Sequence, residues 1–387
     1  MRYNFVFFWF MNDWGKYGRA YEMIATNLSK IPEVNRVICV FPPIIAKNRL
    51  GFASYLVPFF QKKIADKLYI LTPNRNIFPR SIVPSQVGEW LNKDFRDLSL
   101  RAFLKRSGFS QDNTILWMYP PHEYIDDLLR FLPHRFLITQ IVDNNTHMEN
   151  QSAEKRDFVT RQYDDLSRTA NLVFTSSRQN QEYFSSINPE CCFFENALDE
   201  IFIGDPAELP HRINKTRPRL GYVGWITHRT DLELISLIAK SRPGYDLVIA
   251  GPKRADLGLD VLMDQPNVII KGALPYEEVP RFLKSVDVCI IPHKDTLYSR
   301  SMSPLKLFQY LGSGRPIVST SIAGVERWKG LVSIANNSRE FIEHIDMALN
   351  QDSEELSRKR IEAVKLETWG RRVGEMFTTI ERRLSAN

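Results

Sequence analysis

The chain has 387 residues, 43% of them hydrophobic and 25% charged, a composition that excludes disordered, collagen-like and coiled-coil classes and, at ~100–200 residues per domain, suggests two domains. Its net charge of +6 is unevenly placed: residues 1–110 hold 17 Lys and Arg against 7 Asp and Glu, and the remainder 34 against 38. A basic first third suits anionic partners, namely phospholipid headgroups, phosphorylated sugars or nucleic acid, but no recognisable nucleic-acid motif accompanies it and no nucleic acid is expected.

In chain order, residues 3–10 form a continuous aromatic and aliphatic run, as a strand covered on both faces should. The apolar stretch 5–11 runs into Asn12-Asp13-Trp14 rather than a small-residue cleavage site, so a buried strand is expected there, not a signal peptide. Gly15 and Gly18 punctuate the following turn, and residues 19–29 carry helical spacing. Further strands are expected at 36–41, 67–71, 114–118, 136–142, 172–174 and 192–194. Between the first two of these strands, residues 47–63 interleave basic and apolar groups, among them Lys47, Arg49, Phe52, Tyr55, Phe59, Lys62 and Lys63. That mixture suits either an anionic membrane surface or a set of core aromatics with a basic rim. Residues 203–218 hold four Gly and Pro residues and no periodicity, which marks a linker. Alternation then restarts with strands at 219–223, 246–250, 267–271, 286–291 and 316–320 and helices at 231–240, 276–285, 304–312 and through the last fifty residues. The fold class is α/β, with two doubly wound Rossmann-like domains facing a cleft, where ligands of open α/β sheets sit. Cys39, Cys191, Cys192 and Cys289 fit neither a disulfide framework nor a zinc site, and no apolar run approaches the ~18–20 residues of a membrane span; a cytoplasmic location is expected.

The densest constellation is Ser-Met-Ser-Pro-Leu-Lys-Leu-Phe-Gln-Tyr-Leu-Gly-Ser-Gly-Arg-Pro-Ile-Val, residues 301–318. Ser303 reads as a helix N-cap and Pro304 as the first helical residue, so the free N–H groups of that turn, with Lys306 and Arg300, form a candidate diphosphate site. The stretch resembles the Pro-x-Lys-x-x-Glu-Tyr-x-x-x-Gly-x-Pro-Val signature of family-4 glycosyltransferases (glycosyl transferases group 1), whose architecture is GT-B. Residues 221–226, 248–252, 267–272, 276–280 and 287–292 are similar to further segments of that family, in its order, as are 170–177 and 195–199 upstream. Residues 40–110 match nothing nameable.

The resemblance implies an N-terminal acceptor-side domain at 1–202, a linker at 203–218, a C-terminal nucleotide-sugar-binding domain at 219–366, and a last helix at 367–387 packing back on the first domain. Donor binding is implied for Gly224, which leaves room for phosphates; for Lys306, Arg300 and Arg229, which neutralise them; for Ser303; and for Gly272 and Leu274 beside the nucleobase. Gln309 stands where the family has a ribose-binding Glu, and Ser301 where many members have a second one. An ionised acceptor is worth ~1.5–3 kcal/mol per hydrogen bond against ~0.5–1.5 for a neutral one, so weaker or altered donor binding is expected. No metal and no cofactor beyond the nucleotide-diphosphate sugar co-substrate are expected, since fixed cations stabilise the departing charge and no strand ends in Asp-x-Asp.

On the acceptor side, Asp143, His147 and His122 follow strand ends and are the candidate catalytic groups, with Gly15 and Gly18 as places for close approach of a sugar or phosphate. The implied activity is transfer of a sugar to a hydroxyl of a glycan or lipid-linked glycan, with retention, in cell-surface polysaccharide synthesis at the inner face of the membrane. A catalytically silent homologue that binds nucleotide or a partner enzyme, and a sugar-nucleotide epimerase, are the alternatives.

Overall fold

A computed structural model describes residues 2–9, 11–44, 57–75, 77, 85–121, 125–148, 151–205 and 216–386. The first sheet comprises β1 (Tyr3–Phe8), β2 (Val34–Val40), β3 (Phe59–Lys63), β4 (Leu68–Pro73), β5 (Thr114–Met118), β6 (Phe136–Ile141), β7 (Leu172–Thr175) and β8 (Cys191–Phe193), in the order β3-β4-β2-β1-β5-β6-β7-β8. All its pairings are parallel except the antiparallel edge pair β3–β4. Helices α1 (Ala20–Leu28), α2 (Ser85–Arg106), α3 (Ile125–Phe131), α4 (Ala153–Thr169) and α5 (Arg178–Ser185) connect its strands. The second sheet comprises β9 (Arg219–Val223), β10 (Asp246–Ala250), β11 (Val268–Gly272), β12 (Val288–Ile291), β13 (Ile317–Thr320) and β14 (Ser333–Ala335), all parallel, in the order β11-β10-β9-β12-β13-β14. Its helices are α6 (Leu232–Ser241), α7 (Asp260–Met263), α8 (Val279–Lys284), α9 (Leu297–Arg300), α10 (Leu305–Ser313), α11 (Ser338–Gln351) and α12 (Glu354–Val364); α13 (Trp369–Ala386) follows.

Burial on both faces explains why β1 reads as an unbroken apolar run. Phe5 and Phe7 point into one core, and Val6 and Phe8 into another on the opposite face. Phe7 stacks on Trp117 of neighbouring β5 at 4.9 Å between ring centroids. The core holding Phe5 and Phe7 is closed by the far end of the chain. Trp369, Val373, Met376, Phe377, Ile380 and Leu384 recur at helical spacing along α13 and are buried in it beside Tyr21 and Ile24 of α1. The crossing back is fixed by main-chain bonds, Leu198 N–H to Glu367 O (2.7 Å) and Trp369 N–H to Leu198 O (3.0 Å).

Three local expectations change. The basic and aromatic stretch, for which the sequence assigns no element, ends in a strand: Phe60 pairs with Thr72 and Lys62 with Ile70, leaving Lys62 and Lys63 exposed on the sheet edge, while residues 47–56 lie outside the described residues. The 22-residue α2 had no clear signature in the sequence. The expected helix at 276–285 is a 3₁₀ turn, Tyr276–Glu278, running into α8. Of the linker, residues 206–215 lie outside the described residues. Among the described residues no helix is long and apolar enough to cross a membrane.

Candidate functional site

The loops after β1 and β6 meet those after β9, β11 and β12, and the cationic side chains gather on the second sheet's side of that junction. β9 ends Gly221-Tyr222-Val223-Gly224, with Gly224 at φ +141°; a Cβ there would stand 3.0 Å from Lys306 Nζ. Lys306, near the start of α10, is only 9% exposed. Its ammonium donates to Tyr222 Oη (2.8 Å), lies 3.0 Å from His293 Nε2, and sits 4.1 Å from the centroid of the Tyr222 ring. Tyr222 Oη donates onward to Trp225 O at 3.1 Å. His293, just past β12, is anchored through its main chain, its N–H reaching Thr320 Oγ1 (3.2 Å) and its carbonyl accepting from the same hydroxyl (2.7 Å).

Among the described residues, the hydrogen-bond partners of this ammonium, Tyr222 and His293, are neutral. Burial, with the nearby Arg229 guanidinium, holds Lys306 well below the ordinary lysine range, and burial together with Lys306 and Arg229 holds His293 well below the ordinary histidine range. Arg229 places Nη1 3.0 Å from Met302 Sδ, and its Nε is buried without a partner among the described residues. Buried cations without carboxylates are costly unless something anionic joins them. The structure thus brings Gly224, Arg229 and Lys306 together and adds Tyr222 and His293. The position of His293 at a strand's carboxyl end was the signal that could have found it.

The loop before α10 is held differently from expectation. Pro304, not Ser303, occupies the N-cap position, and no side chain caps the first turn; Leu307 N–H turns back to Pro304 O at 3.0 Å, which leaves the N–H groups of Leu305 and Lys306 as the uncapped donors. The Ser303 hydroxyl accepts from Asn196 N–H (3.2 Å) and its carbonyl from Asn196 Nδ2 (2.6 Å). Ser301 accepts from Asn144 N–H (3.2 Å) through its hydroxyl and from Asn180 Nδ2 (3.0 Å) through its carbonyl. Three asparagines of the first domain thus clamp residues 301–303, and the two serine hydroxyls are already engaged. Arg300 does not join Lys306: it is exposed and makes a two-pronged pair with Asp295 at 2.7 and 2.8 Å. Arg300 and Ser303 line, with Met302, a cavity of about 510 Å³ between the domains, bounded by residues 176–179 and 321–324.

Across the junction, Asp143 follows β6 and faces both Arg229 and Arg19; burial raises its pKa, and the two guanidinium groups oppose that rise. His147 lies in the adjoining 3₁₀ turn, Asn145–His147, half-buried, with burial and Arg156 lowering its pKa. His122 lies outside the described residues. Gly15 is not available for a ligand through its amide, because its N–H donates to Glu22 Oε2 at 2.9 Å. Gly18, at φ +57°, is covered as well: a Cβ there would stand 2.1 Å from the Tyr276 ring. Tyr17 packs edge-on against Trp225 (5.6 Å) and Arg19 lies over the same indole (5.5 Å), so the loop after β1 is a closing contact between the domains. Tyr276 Oη donates to Asp199 Oδ2 at 3.1 Å and also meets the Gln309 side chain. Gly272, at φ +69°, and half-buried Leu274 lead into that tyrosine. The sequence missed Tyr276, Trp225 and Arg19, since a lone aromatic or arginine in a loop carries no pattern.

Residues 217–351 match the family model described as Glycosyl transferases group 1. TuaH of Bacillus subtilis (strain 168), a glycosyltransferase provisionally assigned to teichuronic acid biosynthesis, is 32% identical over 110 residues, a match spanning 28% of this chain and 28% of that relative. Among solved structures, the sucrose-phosphate synthase of Thermosynechococcus elongatus aligns over the whole of both chains with a TM-score of 0.74 at 11% identity. The trehalose-6-phosphate structure from E. coli bound with UDP-2-fluoro glucose aligns over 97% of this chain and 98% of its own with a TM-score of 0.67 at 11% identity. At such identities the structural likeness speaks for the fold alone. Together these similarities establish a GT-B fold whose second sheet lies in the segment, residues 217–351, that matches the group 1 glycosyl transferases.

Proposed function

We propose that this chain transfers a sugar from a nucleotide-diphosphate donor to a hydroxyl of a glycan or lipid-linked glycan. The observation that carries the proposal is the buried Lys306 beside Gly224, held by neutral partners and accompanied by Arg229, whose Nε is unpartnered. A nucleoside diphosphate supplies the missing negative charge, and the same two cations stabilise the charge that develops when it departs. They lie in a site where water is scarce and electrostatic attraction correspondingly strong. The open first turn of α10 adds N–H donors to the phosphate oxygens. With that charge balanced by fixed side chains, no metal ion is required in this proposal. Asp143, between Arg229 and Arg19, is placed to accept a hydrogen bond from a sugar hydroxyl. In a retaining transfer the donor's own phosphate oxygen removes the acceptor proton, so no separate base is needed.

The similarity to TuaH supports a surface polysaccharide as the product class. Exposed Lys62 and Lys63 on β3 support an approach to an anionic membrane face, and four unpaired cysteines a reducing, cytoplasmic compartment. A silent, nucleotide-binding homologue is the second reading, favoured by one observation. Residue 309 is Gln rather than Glu, and residue 301 is a serine already bonded within the protein.

A thermal-shift screen of nucleoside diphosphates and nucleotide sugars tests the site. One base series should raise the melting temperature of the wild type and leave Lys306→Ala unmoved. No shift with any nucleotide would discard the proposal, and product analysis with the stabilising donor would separate a transferase from a silent homologue.

A further inference from the structure

Lys306 and His293 stand 3.0 Å apart, both buried, on elements that meet only in the folded domain. The groups that face them are few. Tyr222 from β9 lies 2.8 Å from the ammonium and 3.5 Å from His293 Nε2. Arg229, from the loop after β9, acts on both. Thr230 and Thr320 contribute hydroxyls. Asp143 and Tyr298 address Arg229 rather than this pair. No carboxylate among the described residues acts on either group. The empty site therefore holds two nitrogen bases within hydrogen-bonding distance, next to a third, permanently charged nitrogen group that Asp143 addresses, while the pair itself has no counter-charge among the described residues. That arrangement cannot comfortably carry all its protons. A diphosphate brings the counter-charge that lets it do so.

Resting on the donor reading above, we propose that the Lys306–His293 pair is a proton-linked anion trap: binding of a diphosphate draws about one proton from solvent onto the pair. The proton settles on Lys306 Nζ or His293 Nε2. Tyr222 Oη stays a neutral acceptor from the ammonium and keeps donating to Trp225 O. His293 is a positioning residue in this scheme. Its main chain is locked to Thr320, so its ring fixes one N–H of the ammonium and helps turn the remaining one toward Gly224. The direction of both pKa displacements agrees, since burial and neighbouring cations favour the neutral forms in the empty site and a bound anion reverses that preference. Affinity for diphosphate should accordingly fall as pH rises through the range in which the empty pair has lost its proton and the bound pair keeps it.

The test is calorimetric titration of the full chain with uridine and adenosine diphosphate at pH 7.5, in buffers of different ionisation enthalpy. The slope of the observed enthalpy against the buffer's gives the protons taken up. About one proton per diphosphate is expected, with affinity weakening up to tenfold per pH unit across the linked range. Binding with zero slope overturns this inference while leaving the donor site standing, whereas absence of any binding overturns the donor reading itself. The variant His293→Gln keeps an acceptor for the ammonium but cannot titrate, and Lys306→Arg keeps a permanent charge. In the double variant the uptake should vanish. If that variant binds diphosphate and still takes up the proton, the pair is not the site of uptake and the inference fails. Circular dichroism of each variant shows that its fold is retained.

Discussion

The two domains repeat one winding and treat charge at their shared edge in opposite ways. In the first, the loop after β1 settles its own ionisable groups. Asp13 accepts from Trp9 Nε1 (3.3 Å), Arg19 Nε (2.9 Å) and Tyr21 Oη (3.1 Å), and Glu22 accepts from Gly15 N–H. In the second, Lys306 and His293 meet beside Arg229, and the acid that acts on this group, Asp143, comes from the first domain and addresses Arg229 and not the pair. A loop whose charges are matched internally acts as a wall, while a buried excess of one sign awaits a ligand. The difference also warns against reading net charge as location. The basic surplus of the chain lies in residues 1–110, yet the cations that make the candidate site, apart from Arg19, belong to the slightly acidic remainder.

The sharpest way to break this contrast is Lys306→Met. Removing an ammonium that makes one or two charge-assisted contacts should weaken nucleoside diphosphate binding by about 30- to 100-fold, or ~2–3 kcal/mol. The melting temperature of the unliganded protein should stay level or rise, because a buried polar amine without an acidic partner gives way to an apolar side chain. Calorimetry and a thermal melt read the two halves, and a large drop in melting temperature would count against the cation being a ligand group. Next comes Gly18→Val on the wall. The left-handed backbone costs ~1–2 kcal/mol for a residue with a Cβ, and the side chain would collide with Tyr276. Domain closure should be impaired, seen as a larger radius of gyration in small-angle scattering and about tenfold weaker diphosphate binding. An unchanged radius would show that the contact does not govern closure.

Glu22 probes the same wall through pH. Burial raises its pKa to about 7, above the ordinary ~4.3 of an unfolded chain. The folded state then binds the extra proton between those values, so the stability tied to neutral Glu22 is complete below about pH 4 and lost as pH climbs through 7. Glu22→Gln retains an acceptor for Gly15 without the charge. It should melt with the wild type at pH 4 and above it at pH 8, by up to ~2 kcal/mol after allowance for relaxation; equal melting at both would show that Glu22 is not strained. The smallest effect is expected at Arg300→Ala. Its pair with Asp295 is exposed and of the kind worth ~0–1 kcal/mol, so diphosphate affinity should change less than twofold. A tenfold loss would restore Arg300 to the donor site.

Much of the fold was legible because its signals are local. The continuous apolar run of β1, the alternation of short strands with helical stretches, and the turn residues between them depend on neighbours in sequence. Lys306, Arg229 and Gly224 were legible as types, through a motif and a strand end. Ser303 shows the limit. Its spacing before Pro304 and Lys306 suits an N-cap, but a competing partner, Asn196, lies 107 residues away and takes both its hydroxyl and its carbonyl. Gly15 and Gly18 show another: both have a positive φ, but that Tyr276 covers Gly18 while Gly15 is left with open space and an amide tied to Glu22 was unreadable.

By itself, then, the sequence determined two doubly wound units, the strand ends from which a cleft would be built, and a lysine in the first turn of the helix that overlooks it. Only the tertiary structure decided that this lysine is buried against Tyr222, 84 residues away, and His293, 13 residues away, with no acid between them. It alone placed α13 in the first domain's core and set Tyr276 over Gly18. Periodicity and capping are properties of short segments, whereas the ionisation and accessibility of a side chain are set by whatever the closed fold brings within a few ångströms of it.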